Sequence, residues 1–534
     1  MKMKCLLPTA LIVLLFVAPA LGGAGMKKKA SSVPPAGGGA QVSYYNQVRP
    51  IFVANCQGCH QPSNPSADYI MTEFKSLLAG GRSRKPAIVP HSPEKSYLVA
   101  LITPDAKGVA KMPMARSPLP KAEIELIKRW IAQGAVDDSA QFAKARFDME
   151  HPPVYTRPPV ITSLDFSPDG KLLAVAGFNE VLLISTDHWQ LVARLVGQSE
   201  RIQSVRFSPD GKYLAVAAGQ PARSGEVQVW DVAERKQVLS QSVTSDTVYG
   251  VSWSPDGKMI AFGCADNTVR AIDAKTGEQV LFMGSHEGWA LDTVFSVDGS
   301  HLVSVGVDMT AKLTEVATQR FIDNITSITP GALKGGIQAV ARHPQRDEIV
   351  IGGADSVPKV YRIHRLVERR IGDDSNLIRQ FPAMRGRIFS VAVSRDGKRI
   401  AAASALDGRG EVGIFSYEFD TSLPEDIKKI MAKVSTERTR EEVAALEKYH
   451  TEGATRLAKV EIPESSMYAV AFAPDGKIVA AAGADGHVRL IDATDGKIVK
   501  TFVPVPVQRG GGSGLRVQGS PLPSSPSQAG PPGG

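Results

Sequence analysis

The run Cys56-Gln57-Gly58-Cys59-His60 sets two thiols two residues apart and places an imidazole directly after the second. Thiols at that spacing can add across the two vinyl groups of haem, and the adjacent histidine can then bind the iron from one side. A bare Cys-x-x-Cys also serves zinc knuckles and thioredoxin-like redox pairs. Zinc would want a second ligand pair, and apart from Cys5 the only further cysteine is Cys264. A redox pair would sit in a βα unit, whereas Val48, Ile51, Phe52 and Val53 recur at helical spacing up to Asn55, just before the motif. The reading is therefore one covalent haem c, with Cys56 and Cys59 as thioether attachment points and His60 as proximal iron ligand.

The other side of the iron needs a partner, and the run Gly108-Val109-Ala110-Lys111-Met112-Pro113-Met114 offers two thioethers, Met112 and Met114. Methionine sulfur is a soft ligand that favours ferrous iron and raises the potential, which suits electron transfer. The elements that must position these groups are helical. A last helix is predicted from about Lys121 to Gln133, with Ile124, Ile127, Trp130 and Ile131 on one face and Gly134 as its stop. Trp130 reads as core. A small helical unit thus spans residues 42–141.

Within that unit, Arg49-Pro50-Ile51-Phe52, the haem run, Ile88-Val89-Pro90, Ser96-Tyr97-Leu98, Lys111-Met112-Pro113, Pro118-Leu119 and the stretch Ile127 to Ala135 follow one another in a familiar order. The segment resembles the planctomycete-type cytochrome c domain over nearly all of 42–141. The resemblance implies a small all-α, class I-like cytochrome c. It makes Met112 the distal ligand, with Met114 as the alternative, and packs Tyr97 and Trp130 on or near the haem. His91 stands where the family usually has glycine and reads as a surface loop residue rather than an alternative ligand.

From about Pro158 to Val505 a phrase recurs: an apolar strand, a turn of the form Phe-Ser-Pro-Asp-Gly, and a second apolar strand. Copies begin at Phe166, Phe207, Trp253 and Phe472, and degenerate ones at Phe295, Arg342 and Val393. Asp-Gly after proline predicts a tight hairpin turn with a positive-φ glycine. Most copies lie about 41 to 51 residues apart, the length of a four-stranded propeller blade. A third strand shows in Val227 to Asp231, Val269 to Asp273 and Val488 to Asp492. Asp266, Asp308, Asp355 and Asp485 precede it, where a carboxylate can tie down the turn. The region is similar to WD-repeat propellers, although only Trp230-Asp231 keeps the signature pair. His286 falls where WD repeats place a structural histidine and, with Ser304 and Asp308, is expected in the usual blade network.

The expected fold is multidomain: the all-α cytochrome, then an all-β seven-bladed WD-repeat propeller over 155–506. A helical insertion is predicted at 422–453, with Ile427, Ile430, Met431, Val434, Val443 and Leu446 as its apolar positions. It reads as a solvated arm with one face laid on a blade, and a partner-docking arm is the sharper alternative. The flanks read differently. Residues 1–22 carry Lys2 and Lys4, an apolar core from Leu6 to Val17 and small residues at Ala18 to Gly22, the pattern of an export signal. That core falls short of the ~20 residues needed to cross a bilayer. Residues 23–41 read as a flexible leader, and 507–534, rich in Gly, Pro and Ser, as a disordered tail.

The formal charge of +8 is concentrated at the N-terminus. Loss of Lys2 and Lys4 and gain of two haem propionates leave about +4, much of it Lys27 to Lys29, so nucleic-acid binding is not expected. Cys264 lies in an apolar strand and reads as a buried hydrophobe. No phosphate loop, nucleophile elbow or His-Glu-x-x-His run is present, so an electron carrier or binding protein is expected more than an enzyme. The expectation is an exported, periplasmic mono-haem cytochrome, with no membrane span after signal removal. It meets redox partners at the haem edge and other proteins through the propeller. The alternatives are a redox enzyme subunit whose propeller holds a substrate or second cofactor, and a haem-based sensor or scaffold.

Overall fold

The computed structural model describes residues 41–61, 64–114, 116–139, 147–221, 223–327, 335–370 and 373–508. The signal read at 1–22 lies outside them, as do all of the leader but Gln41 and all of the tail but Val507 and Gln508.

The helical unit opens with a π-type turn, Tyr44–Val48, capped by the Ser43 hydroxyl, which accepts the Asn46 N–H at 3.1 Å. Helix α1 (Arg49–Asn55) follows, with Pro50 in its first turn, where a missing N–H costs nothing. Helices α2 (Phe74–Ala79) and α3 (Tyr97–Ile102) are short. Helix α4 (Lys121–Ala132) buries Ile124, Ile127, Trp130 and Ile131, and Gly134 just beyond it takes φ 103°, the left-handed conformation of a helix stop. Trp130 is fully buried at the centre of the core. It stacks on Tyr44 at 5.2 Å, meets Phe52 and Phe74 edge-on, and donates its Nε1–H to the Val136 carbonyl at 3.0 Å.

After residue 147 the described residues are all β apart from one insertion. Five separate four-stranded antiparallel sheets follow a single seven-stranded one. In the larger sheet the strand Gln190–Phe207 is long enough to pair with Phe178–Ser185 through its first half and with Tyr213–Gln220 through its second. One strand therefore ends one four-stranded set and begins the next. The first and last sets share a core: Leu164, Leu173 and Leu182 pack with Ala480, Ala482 and Leu490. Ile161 donates its N–H to Gly483, and Tyr155 pairs with Val507 in parallel.

Five of the seven turn copies share one hydrogen-bond pattern; the copy at Phe472 has Ala473 in place of the serine and keeps Asp475, which accepts the Lys477 N–H. Ser167 donates to the Asp169 carboxylate at 2.6 Å and its oxygen accepts the Leu172 N–H at 2.9 Å; Asp169 also takes the Lys171 N–H. Gly170 closes the turn at φ 75°. The same Ser–Asp pair recurs at Ser208, Ser254, Ser296 and Ser394, so the degenerate copies at Phe295 and Val393 keep the groups that matter. In the fifth copy His343 replaces the pair, its Nδ1 accepting the N–H groups of Gln345 and Arg346.

The loop aspartates tie down their turns: Asp266, Asp308, Asp355 and Asp485 each accept an N–H from two residues on. Each also pairs with a cation four residues on: Arg270, Lys312, Lys359 and Arg489. His286 lies between Asp308 and Ser304, with Nδ1 3.0 Å from the carboxylate and Nε2 2.8 Å from the hydroxyl.

Burial alone would raise the Asp308 carboxyl, but hydrogen bonds from His286, the Glu287 N–H and Thr310, with the charge of His286, hold it at about 2. A carboxyl held below its ordinary value stabilises the folded state above about pH 4, and that contribution is lost as the pH falls toward 2. Asp308→Asn is expected to cost about 1–3 kcal/mol at pH 7 and much less near pH 2. Urea unfolding of both proteins across that range checks it, and a constant difference would contradict it.

The insertion forms α5 (Glu425–Met431) and α6 (Arg440–Thr451), the latter opened by a reciprocal cap between Thr439 and Glu442. Ile427, Ile430, Met431, Leu446 and Tyr449 pack together with Val367 of the β region, while Val434 and Val443 stay exposed. Cys264 is buried among Val248, Val251 and Phe262, and burial pushes its thiol up to about 12. Among the described residues no helix is long and apolar enough to cross a membrane.

Candidate haem site

The haem run begins where α1 ends. Cys56 is the cap of that helix, its N–H bonded to the Phe52 carbonyl at 2.8 Å. Its own carbonyl then accepts the N–H groups of both Cys59 and His60, at 3.1 and 3.2 Å. These bonds wind the five residues into one compact turn and hold both thiols and the imidazole at a single helix end. Gln57 is buried and fastens the turn from below, its side-chain amide donating to the Met71 carbonyl at 3.0 Å.

The two thiols differ in surroundings. Cys59 is exposed, whereas Cys56 is half-buried against the apolar core, and burial, with a smaller contribution from Cys59, pushes its thiol up to about 12. His60 is half-buried. Its carbonyl takes the Met71 N–H at 2.8 Å, and its Nδ1 lies 3.3 Å from the Tyr69 carbonyl. An Nδ1–H directed at a carbonyl fixes the tautomer and leaves Nε2 as the basic nitrogen, the arrangement that metal-binding imidazoles use. Tyr69 is held in turn by its hydroxyl, which donates to the Leu77 carbonyl at 2.8 Å.

Met112 is half-buried on the same apolar cluster as Cys56, and its N–H bonds to the Leu101 carbonyl at 3.0 Å. Met114 is 76% exposed. The loop leading to Met112 is braced by Asp105, whose carboxylate accepts the N–H groups of Lys107 and Val109. A haem is mostly apolar, and the residues present fit it. The Cys56 thiol and the Met112 thioether pack on a cluster that also contains Phe52, Leu98 and Ile102, while the exposed Cys59 thiol and the His60 imidazole, its second nitrogen engaged, follow Cys56 in the same turn.

His91 is exposed and sits at φ 64°, in the left-handed region that favours glycine, with its ring against Gly134. Trp130 belongs to the core just described; Tyr97 is half-buried, with the Lys85 ammonium 5.1 Å over its ring. The role of Tyr69 was not read from the sequence, because its contribution is a backbone carbonyl, which any residue could supply.

The helical unit meets the β region at the start of α1, the end opposite Cys56. Arg49 reaches the Ser245 carbonyl, and the guanidinium groups of Arg49 and Arg223 both lie over the Tyr45 ring. A polar cleft of about 770 Å³ runs along the junction.

These features define a small helical segment of cytochrome type followed by antiparallel repeats. Residues 56–113 match the family described as Planctomycete cytochrome C, and residues 164–249, 222–288 and 454–507 match the Anaphase-promoting complex subunit 4 WD40 domain. The helical segment is thus similar to a planctomycete-type cytochrome c domain and the repeats to WD40 repeats, likenesses that suggest haem binding by the first and protein interaction by the second. Among curated proteins, WD repeat and SOCS box-containing protein 1 of Danio rerio is 33% identical over 85 residues, 16% of this chain and 20% of that protein. A WD repeat-containing protein of Synechocystis sp. is 29% identical over 147 residues, 27% of this chain and 41% of that one. The chain thus spans less than half the length of either relative. A chain in the crystal structure of a mitotic checkpoint complex aligns at 17% identity and TM-score 0.48, over 63% of this chain and 92% of that one.

Proposed function

We propose that this chain is an exported mono-haem c-type cytochrome that transfers electrons, with a seven-bladed propeller as its protein-interaction platform. Cys56 and Cys59 hold the haem through thioethers, His60 binds the iron through Nε2, and Met112 is the distal ligand. The observation that carries the reading is the shared apolar cluster under Cys56 and Met112, beside a histidine whose Nδ1 is already directed at the Tyr69 carbonyl. When bound, the haem supplies a one-electron couple. The protein's own part is to fix the His60 ring, to keep water from the buried side of Cys56 and Met112, and to leave the exposed Cys59 side open to a redox partner.

The sheets support the blade count. The seven-stranded sheet contains two four-stranded sets sharing Gln190–Phe207, and the five others bring the total to seven. The core shared by the first and last sets supports a closed ring, which would leave no long free edge. Export rests on the signal pattern at residues 1–22.

The axial ligands are tested by absorption. The oxidised protein is expected to show the weak near-infrared sulfur-to-iron band. Met112→Ala removes it and lets carbon monoxide bind the reduced protein, while Met114→Ala leaves it intact. Survival of the band in Met112→Ala would overturn the assignment. Rapid carbon monoxide binding by the unaltered protein would favour a sensor or enzyme instead.

A further inference from the structure

Five cationic side chains are buried to more than nine-tenths among the described residues: Arg270, Lys312, Arg362, Arg379 and Arg489. Three face an aspartate four residues earlier in the chain. Arg362 and Arg379 have no carboxylate within 4.0 Å among the described residues, and both lie where the helical insertion covers its blade. Arg362 donates through Nη2 to the Tyr449 hydroxyl at 2.9 Å and to the Thr421 carbonyl. Arg379 donates to the carbonyls of Ile378, Asp420 and Glu452, with its guanidinium 4.6 Å over the Tyr449 ring. Every one of these partners is neutral.

Two polar atoms at this junction are left over. Arg362 Nη1 and His450 Nε2 are both closed off from solvent and have no hydrogen-bond partner. His450 follows Tyr449, the residue that Arg362 touches. Its ring is held down to about 4, first by burial and then by the charges of Arg379, Arg438 and Arg362, so it is neutral at pH 7. The nearby carboxylates are engaged elsewhere: Asp420 is at the surface and binds Ser422, and Glu348 binds Arg346 and Tyr417. The charge of Asp420 reaches both guanidinium groups and Glu348 pairs with Arg362 across the strands, yet neither carboxylate bonds Arg362 Nη1, and a buried N–H left unpaired carries a free-energy penalty.

We propose that a single halide-sized anion, chloride in ordinary solution, binds between the insertion and its blade, held by Arg362 Nη1 and the His450 Nε2–H. Two enclosed donors suit a monatomic anion better than a tetrahedral oxyanion, whose four oxygens call for more donors than these. The site lies outside the haem unit and does not depend on the function proposed above.

The test uses the haem-loaded full chain in thermal unfolding at fixed ionic strength, with chloride exchanged for gluconate, and crystals soaked in bromide. The unfolding midpoint is expected to rise with chloride and to saturate. Bromide should give an anomalous peak within reach of Arg362 and His450. Arg362→Gln should weaken the apparent chloride affinity at least ~tenfold through loss of the charge. If that variant does not fold, His450→Phe carries the comparison. A chloride-independent midpoint without a bromide peak would mean that water satisfies these groups and would overturn the proposal, as would full chloride dependence in the substituted protein.

Discussion

Replacing Cys56 and Cys59 together with alanine is expected to abolish covalent haem: the haem-stained band on a denaturing gel disappears, and acid–acetone extraction removes all remaining pigment. Each thiol adds its S–H across one vinyl group, so no oxidant is consumed and no other side chain can stand in. Among the described residues the remaining cysteine, Cys264, is buried in a different core. The single variants separate the two positions. Cys59 is exposed, so Cys59→Ala leaves packing unchanged and one thioether in place. Cys56 packs on the core, so Cys56→Ala also opens a small gap there and is expected to be the more destabilising change. Haem that stayed bound through denaturation in the double variant would refute the attachment proposed here.

Trp130→Ala is expected to destabilise the helical unit by about 3–5 kcal/mol, the range for truncating a buried aromatic. The indole is fully buried, touches three other rings and makes one hydrogen bond, and a unit of this size commands only ~5–15 kcal/mol in all. Trp130→Phe keeps most of the ring contacts but strands the Val136 carbonyl, at about 1 kcal/mol. Denaturant unfolding followed by far-UV circular dichroism should show the helical transition moving and the β transition staying. Equal shifts in both transitions would mean that the two regions unfold as one.

How much of this was legible in the sequence depends on whether side chains or backbone carried the information. The turn phrase was legible because its chemistry is in side chains: serine and aspartate cap the turn and glycine supplies the positive φ, so the degenerate copies could still be recognised. The helical face of Ile124, Ile127, Trp130 and Ile131 was legible for the same reason. The cations four residues after the loop aspartates were present as Asp-x-x-x-Arg/Lys, but the reading stopped at the aspartate's backbone contacts. The strand Gln190–Phe207 could not be foreseen, since nothing in its composition shows that two sheets will share it. The Tyr69 carbonyl beside His60 has no side-chain signature either. His91 was read as a departure from the family, and its φ of 64° gives the physical reason that glycine suits the position. His91→Gly removes that strain.

The two halves of the chain set very different problems for a molecule emerging one residue at a time. The helical core draws on a short contiguous stretch, from Val42 to Ala135, and can collapse as soon as α4 has been made. The seam of the β region joins Tyr155 and Ile161 to Gly483 and Val507, so its first strands wait for nearly the last residues before they find their neighbours. Contacts so far apart in sequence form slowly. A folded helical unit is therefore tethered for a time to first strands that still lack their neighbours, and truncation just before Val479 would leave the first unit intact and those strands unpartnered.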